Sequence, residues 1–286
     1  LDKIKNTGTK LGNICNVNQG IVTGADKVSK KHIEEYNINA NINDGIFVLS
    51  NSEINTLNLT ENEKKILKPW FKNSDILRWI TFFNSNDNLL FLSKDLNEKY
   101  LQQYYPNIYI HIYKYKNIMI SKRKNLNERL DKWFTLNRGT AHPNIFISAK
   151  IVAPQRSPRN TFGYNEIPWY ASADVYFITQ KDENVSLKYI LALLNSKLYY
   201  LWLYYRGKRK GEILELTAKP LSEIPIKIVP QMDQQPFIDL VDQILDAKKT
   251  NHAADTTAWE KEIDQLVYKL YELTDEEIAI IENGSI

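Results

Sequence analysis

The sequence predicts an α+β fold, in which a mixed sheet packs with helices and is followed by a C-terminal helical region. Three observations lead to this prediction. Residues 1–230 contain short apolar strand signals separated by glycine and proline. A helix over Ser186–Tyr205 is apolar nearly all round, which predicts burial against a sheet. From Asp233 onward the chain is acidic and carries apolar residues at helical spacing. We therefore divide the chain into residues 1–230 and 231–286.

Short runs of apolar or alternating residues, bounded by turn residues, predict the strands. They occur at Leu11–Val28, Asp44–Ser50, Leu89–Ser93, Lys150–Ala153 and Ile213–Leu216, with a last strand ending at Pro230. The first run breaks at Gly20 and Gly24, and glycine permits a positive φ or a close approach of two backbone segments. A glycine loop is therefore expected directly after the first strand.

Capping patterns and apolar spacing predict the helices. Thr60-x-x-Glu63 has the spacing of a capping box, so a helix should begin there and end before Pro69. Pro106–Lys124 shows both strand-like alternation and a helical face, but proline suits the first turn of a helix, so we favour a helix. Further helices are expected at Ser186–Tyr205, at Asp233–Lys249, and from capping boxes that begin at Thr257 and Thr274.

The net charge of +3 hides a strong asymmetry along the chain. Residues 1–229 hold 33 Lys and Arg against 21 Asp and Glu, whereas residues 230–286 hold 4 against 13. The most basic stretch, residues 114–160, holds 11 basic and 2 acidic side chains. A basic body with an acidic tail indicates a face that binds a polyanion and a tail that is turned elsewhere.

Composition also excludes several classes. A single cysteine, Cys15, allows no disulfide within the chain and no thiolate zinc site. No apolar run is long enough for a membrane span. The chain begins at Leu1 without methionine and without a signal peptide, so we expect a part of a longer, cytoplasmic protein.

The sequence contains no complete catalytic motif. There is no Gly-x-Gly, no Pro-Pro, no phosphate-binding Walker loop, no Gly-x-Ser-x-Gly and no His-Glu-x-x-His. A metal-nuclease pattern can be drawn from Asp44 with Glu63-Lys64-Lys65, but the capping box explains Glu63 better. His142 has the chemistry of a general base, and no partner for it can be named. We therefore expect a binding module rather than an enzyme.

Six ordered segments resemble one protein family. They are LGNICNVNQGIVTGADKV, ILKPWFKNSDILRW, the YYPNIY to SKRK segment, AKIVAPQRSPRNTFGY, YILALLNSKLYYLWL and KPLSEIPIKIVP. Their order and spacing are similar to those of the TaqI-like C-terminal specificity domain. That domain is the target-recognition part of type II and type IIG restriction-modification enzymes and of adenine-specific DNA methyltransferases. The closing portion, LSEIPIKIVPQMDQQPFIDLVDQIL, is also similar to type I specificity subunits.

The resemblance implies a division of roles between this chain and a parent enzyme. Residues 1–230 become a DNA target recognition domain and residues 231–286 a helical conserved or spacer region. The implied partners are double-stranded DNA and the methyltransferase domain of the same parent chain or of a partner subunit, without a membrane. S-adenosylmethionine is implied for the parent, Mg²⁺ is left open, and no cofactor is expected in this chain.

Arg pairs bidentately with guanine, and Asn or Gln with adenine, whereas Lys and Arg on phosphates position the protein. The candidate base contacts, all on one loop, are Gln155, Arg156, Arg159 and Asn160. The candidate phosphate contacts are Lys122, Arg123, Lys124, Arg206, Lys208, Arg209 and Lys210. Further candidate contacts are Gln19, Thr23, Arg138 and His142. Trp133 and Trp169 are expected in the core rather than stacked on DNA.

Two other classes of function compete with DNA recognition. The acidic helical tail and the 17 tyrosines favour a protein-interaction or assembly module of a restriction-modification complex. A metal-dependent nuclease built on Asp44 and Glu63 is the weaker alternative. Binding to duplex DNA distinguishes the first class from recognition, and metal-dependent cleavage distinguishes the second.

Overall fold

The computed structural model describes residues 1–283 of the chain. Within these residues, fourteen β-strands, most of them short, are interleaved with helices. The strands are β1 (Thr9–Lys10), β2 (Cys15–Gln19), β3 (Val48–Ser50), β4 (Leu67–Phe71), β5 (Trp79–Ile80), β6 (Asp87–Leu90), β7 (Lys150–Pro154), β8 (Arg156–Ser157), β9 (Gly163–Asn165), β10 (Tyr170–Ala171), β11 (Val175–Gln180), β12 (Arg209–Lys210), β13 (Ile213–Glu215) and β14 (Pro225–Ile226).

The helices are short in the first half of the chain and long at its end. They are α1 (Asp2–Thr7), α2 (Leu11–Ile14), α3 (Lys30–Tyr36), α4 (Asn51–Thr56), α5 (Glu61–Lys64), α6 (Glu98–Tyr104), α7 (Pro106–Tyr113), α8 (Lys116–Asn125), α9 (Leu187–Asn195), α10 (Lys197–Arg206), α11 (Ala218–Ser222), α12 (Gln231–Thr250), α13 (Thr257–Leu270) and α14 (Asp275–Asn283). Three 3-10 turns lie at Asn73–Asp75, Leu130–Lys132 and Pro143–Phe146.

A five-stranded mixed sheet in the order β2-β11-β7-β9-β5 forms the centre of the fold. Its first four strands pair antiparallel, whereas β5 runs parallel to β9. A four-stranded sheet, β10-β4-β6-β3, packs beside it. Two smaller sheets, β12-β13-β8 and β1-β14, complete the strand pairing. The predicted α+β class with a mixed sheet is confirmed.

The five-stranded sheet separates two apolar cores. Successive residues of a strand point to opposite faces. On β7, Ile151 and Ala153 therefore belong to the first core, whereas Val152 belongs to the second. The first core contains α9, α10 and the apolar faces of the last three helices. The second contains the four-stranded sheet together with α7 and α8.

The helical tail packs on the first core. Phe237 of α12 meets Tyr189 of α9 edge-on, with ring centroids 5.2 Å apart. The apolar residues of α12 and α13 share one cluster with those of α9 and α10. The predicted helical region is confirmed, while the boundary between residues 230 and 231 stays a prediction.

Several local predictions need correction. The predicted helix over Ser186–Tyr205 is two helices, because the Ser196 side chain accepts from the backbone N–H of Tyr199 and starts α10 anew. The segment Pro106–Lys124 is likewise helical in two pieces, α7 and α8. The capping box at Thr257 is wrong, since Thr256 precedes α13 and its hydroxyl bonds to Glu260.

The predicted strands mostly stand, with shifted ends. The strand expected at Leu89–Ser93 is β6, which ends at Leu90, and the strand expected to end at Pro230 is only β14. The capping boxes at Thr60 and Thr274 are confirmed by reciprocal hydrogen bonds with Glu63 and Glu277. No helix in the described part of the chain is long and apolar enough to cross a membrane.

Candidate nucleic-acid interface

Three strand ends meet at one edge of the central sheet. β2 ends there with Gln19, which is in register with Tyr176 of β11. At the same place β11 begins with Val175, which is in register with Pro154, the last residue of β7. Because the three strands run antiparallel to their neighbours, the segments that follow β2 and β7 leave the sheet side by side.

The loop after β2 depends on its glycines. At Gly20 a Cβ would lie 2.2 Å from the carbonyl oxygen of Ser172, so no side chain fits where the backbones cross. Gly24 has a φ of +95°, which only glycine adopts readily. The backbone N–H of Val22 then donates to the carbonyl of Arg138 over 3.1 Å, so the exposed Arg138 is held beside this loop.

The segment after β7 joins a basic hairpin at the same edge. Gln155 follows β7; its N–H donates to Asp174 over 2.7 Å and its carbonyl accepts from Leu216 over 2.9 Å. The next residues form β8, which pairs with β13, and β13 pairs with β12. This three-stranded sheet brings Arg156 together with the distant residues 208–210.

Carboxylates balance only part of this positive charge. Glu215 accepts from Lys208 over 2.7 Å and lies 3.6 Å from the guanidinium of Arg156. The hydrogen bond from Lys208 is the main reason that the pKa of Glu215 lies below its ordinary value. The guanidinium of Arg209 lies 3.8 Å from the ring centroid of Tyr204 and 3.9 Å from Glu212. Four cations thus face two carboxylates.

We call this surface the cationic edge and define it by six exposed side chains: Gln19, Arg138, Arg156, Lys208, Arg209 and Lys210. Gln19 donates from Nε2 to the carbonyl of Ala173 over 2.9 Å. Burial raises the pKa of Tyr176 in β11, Asp174 adds to this shift, and the charge of Lys208 opposes it. The hydrogen bonds that join Gln155 to Asp174 and to Leu216 hold the hairpin close to the start of β11.

Two residues of the predicted base-reading loop lie elsewhere. Asn160 is only 5% exposed, and its Nδ2 donates to the carbonyls of Leu194 and Ser196 over 2.8 and 2.9 Å. This corrects its assignment as a base contact, because its amide is used by the fold. Arg159 is exposed but lines a different cleft of about 340 Å³ together with Arg78. Of the predicted base-reading loop, Arg156 therefore lies at the cationic edge, whereas Arg159 and Asn160 do not.

Two of the three predicted phosphate contacts on α8 already form hydrogen bonds within the protein. Arg123 is 1% exposed, pairs with Glu128 at 2.9 Å and donates to the carbonyl of Thr135 over 2.6 Å. This corrects its assignment as a phosphate contact. Lys122 donates to the carbonyl of Gly24 over 2.8 Å, and burial lowers its pKa. Lys124 remains exposed.

Two more candidates are tied to local structure. Thr23 is 5% exposed and its hydroxyl donates to Asp26, which corrects its assignment as a DNA contact. Arg206 is exposed and lies 3.6 Å from Asp2, on the helix that leads into the hairpin. Trp133 and Trp169 are buried in the second core, as expected.

His142 lines a polar cleft next to the cationic edge. We call this cleft of about 510 Å³ the amide cleft; its walls are Asn16, Asn18, His142, Asn144, Ile145, Ser148, Ala149, Thr179 and Gln180. Asn16 and Asn18 come from the outer strand β2 and were not among the predicted contacts. The alternation in Cys-Asn-Val-Asn-Gln was the signal for them, because it places two amides on one face of a strand.

The carboxylates considered for metal chemistry serve local structure. Glu63 accepts hydrogen bonds from Thr60, Asn107 and Ile108, and Asp44 accepts from the N–H of Asn41. Across residues 1–283, no group of three or more His, Cys, Asp or Glu side chains is placed to hold a metal ion. Cys15 is buried, and burial raises the pKa of its thiol to about 12.

The cations of the cationic edge lie within a segment that matches a known protein family. Residues 112–226 match the model of the TaqI-like C-terminal specificity domain. The matched residues include Arg138, Arg156 and the hairpin at residues 208–210, while β2 precedes them.

Curated relatives and a solved structure extend the likeness beyond the matched residues. The chain is 29% identical over 229 residues to the type II methyltransferase M.HindII of Haemophilus influenzae, covering 77% of this chain and 38% of the relative. It is 34% identical over 143 residues to the type II methyltransferase M.HincII of Haemophilus influenzae, covering 46% of this chain and 28% of the relative.

The fold is similar to part of the type IIL restriction-modification enzyme MmeI, solved in complex with DNA. The TM-score is 0.67 at 14% identity, covering 96% of this chain and 36% of that chain. The likeness shows that this chain shares the fold of that part of MmeI. The chain spans less than half the length of each of these three proteins.

Proposed function

We propose that this chain recognises a specific sequence in double-stranded DNA and directs a site-specific adenine DNA methyltransferase to it, with or without restriction activity. The cationic edge is the observation that carries this proposal. Four cations from two distant segments are gathered on one small sheet, at the edge where β2 and β7 end. Such a cluster neutralises phosphates and releases their counterions, which is the main source of affinity for duplex DNA.

The two kinds of cation at this edge suit different roles. Lys208 and Lys210 carry compact ammonium groups on a hairpin, which suit single phosphates and position the protein without specifying sequence. Arg156 offers a planar fork that matches the O6 and N7 atoms of guanine. Its ion pair with Glu215 is long, at 3.6 Å, so Arg156 is free to exchange that partner for a base.

The methyl transfer itself is proposed for the parent enzyme. S-adenosylmethionine supplies the methyl group in such enzymes, and its usual glycine loop has no counterpart here, since the sequence contains no Gly-x-Gly. In this proposal the chain holds the duplex, and the methyltransferase domain of the same parent chain or of a partner subunit performs the chemistry.

Salt dependence of DNA binding tests the proposal. We expect the variant Lys208→Ala/Lys210→Ala to bind random-sequence duplexes more weakly, with the slope of log K against log salt shallower by about 2, since each lost phosphate contact removes about 0.9. Binding is measured by fluorescence anisotropy between low and physiological salt.

Lys64→Ala/Lys65→Ala is the matched control, because these two exposed lysines lie at the end of α5 in another part of the fold. The control should keep the wild-type slope. Absence of duplex binding by the wild-type chain at low salt would contradict DNA recognition. It would favour an assembly module, for which the groove between α12 and α13 lined by Pro236, Leu240 and Leu266 is the surface to mutate.

A further inference from the structure

We propose that the amide cleft reads the edges of base pairs, with Asn16, Asn18 and His142 as its hydrogen-bonding groups. This inference rests on the proposed function and deepens it. It assigns sequence discrimination to the outer strand β2, outside the matched specificity domain of residues 112–226. The cationic edge then holds the phosphates that flank the bases in the cleft.

The composition of the cleft fits bases better than phosphates. None of its nine lining residues is Asp, Glu, Lys or Arg. Phosphate sites in proteins commonly carry Arg or Lys side chains, and neither lines this cleft. Carboxamides and an imidazole offer hydrogen-bond donors and acceptors, which is the pattern that base edges present.

Four polar side chains of the cleft are not used by the fold. Within residues 1–283, the side chains of Asn16, Asn18, His142 and Asn144 have no hydrogen-bond partner in the protein, whereas Ser148 and Gln180 donate to the carbonyls of Asn144 and Val185. Amides elsewhere are engaged: Asn160 and Asn195 each bridge backbone segments. Cys15 and Val17, which alternate with the two amides on β2, pack into or against the first core. The strand is therefore anchored by one face and presents its amides on the other.

The cleft and the cationic edge share two segments of the chain. β2 carries both amides and ends with Gln19 of the cationic edge. A strand rises roughly 3.3 Å per residue, so Asn16 lies about 10 Å along β2 from Gln19. Arg138 of the cationic edge and His142 of the cleft also belong to one segment. In the proposed complex one duplex places phosphates at the edge and base pairs at the cleft; the separation along β2 is comparable with the width of the major groove, about 12 Å.

Selection from a randomised duplex library tests this assignment, since the target sequence need not be specified in advance. The wild-type chain should enrich one sequence. The variant Asn16→Ala/Asn18→Ala should lose the preference at one or two neighbouring positions, by about 5- to 150-fold for each bidentate pair lost. Its affinity for random duplexes should stay within about twofold of wild type, because no phosphate contact is removed.

Asn18→Asp keeps the size of the side chain and guards against a loss of folding. A carboxylate accepts from cytosine N4 and repels the acceptors of other bases, so this variant should shift one position towards cytosine. Asn55→Ala is the matched control, because Asn55 is an exposed amide on α4, beyond the far strand of the four-stranded sheet. It should enrich the wild-type sequence.

The outcomes separate the two proposals. A wild-type chain that binds no duplex overturns the proposed function and this inference with it. A wild-type chain that enriches a sequence, with cleft variants that enrich the same sequence equally well, overturns this inference and leaves the proposed function standing. Loss of affinity for all sequences in the Asn18→Asp variant, without a changed preference, would also overturn it.

Discussion

At the scale of single residues, Asn160 fastens the loop after β8 to the break between α9 and α10. Its Nδ2 donates to the carbonyls of Leu194 and Ser196, and both bonds are buried. We expect Asn160→Ala to lower the free energy of unfolding by about 1–3 kcal/mol, because two buried carbonyls lose their donor. Urea unfolding followed by circular dichroism measures this. The neighbouring exposed Arg159→Ala should change it by less than about 0.5 kcal/mol.

The same experiment separates a structural role from base reading. Asn160→Ala should keep the wild-type base preference in the library selection. A changed preference at unchanged stability would show that Asn160 reads DNA after all. Asn18 differs from Asn160 in both burial and hydrogen bonding: the Asn160 amide is buried and makes two bonds, whereas the Asn18 amide is half-buried and has no partner within residues 1–283.

Residue chemistry could be predicted from the sequence, and burial could be predicted only where a periodic pattern reveals it. The basic character of Arg156 and of residues 208–210 was visible as composition, and the structure brings these residues together. Arg123 carries the same charge, but its side chain is buried and pairs with Glu128 across a turn. No local pattern marks that contact, so the sequence alone could not distinguish the two.

At the scale of elements, α13 caps the start of α10. Asp264 of α13 is 4% exposed and accepts the backbone N–H of Lys197 over 2.9 Å. Burial raises its pKa to about 6; the bond from Lys197 and the charges of Lys197 and Arg78 oppose this shift, and Glu282 adds to it. A carboxyl whose pKa is raised in the folded state favours folding when protonated. Its contribution is therefore lost as the pH rises from about 4 to about 6.

Asp264→Asn should remove this pH dependence, because the amide keeps the acceptor and cannot ionise. The free energy of unfolding of wild type relative to the variant should fall by on the order of 2–3 kcal/mol between pH 4 and pH 7. Urea unfolding at several pH values measures the difference. The exposed Asp246→Asn on α12 is the control and should show a flat difference. A flat difference for Asp264 would contradict the role of its burial.

Element boundaries were predictable where the determining contact is local. A capping box needs only two residues three positions apart. Both predicted boxes, Thr60 with Glu63 and Thr274 with Glu277, are present in the structure. The pairing of β8 with β13 joins segments far apart in the sequence, and no short pattern specifies that register. The cationic edge depends on this pairing, so its parts could be predicted from the sequence but their assembly could not.

At the scale of the whole molecule, the five-stranded sheet lies between two cores, and the helical tail belongs to the first. The Gln234 side chain of α12 accepts the N–H of Ser186 and donates to the carbonyls of Asn184 and Val229. Lys188 of α9 pairs with Asp242 of α12 at 2.5 Å. Glu260 of α13 forms an ion pair with Arg78, which precedes β5. The tail is thus bound by apolar and polar contacts to the part that carries the cationic edge.

These contacts predict that residues 1–230 do not fold independently. Removal of residues 231–286 exposes the apolar face of α9, including Tyr189, and deletes the partners of Ser186 and Arg78. We expect the shortened chain to lose cooperative unfolding in urea and its DNA binding with it. A chain ending at residue 273, which lacks Thr274, α14 and the residues after it, is the control and should unfold cooperatively at a lower midpoint, because α12 and α13 still cover α9. Cooperative unfolding of residues 1–230 with wild-type DNA affinity would instead show that these residues form an autonomous domain and that the tail is not needed for DNA binding.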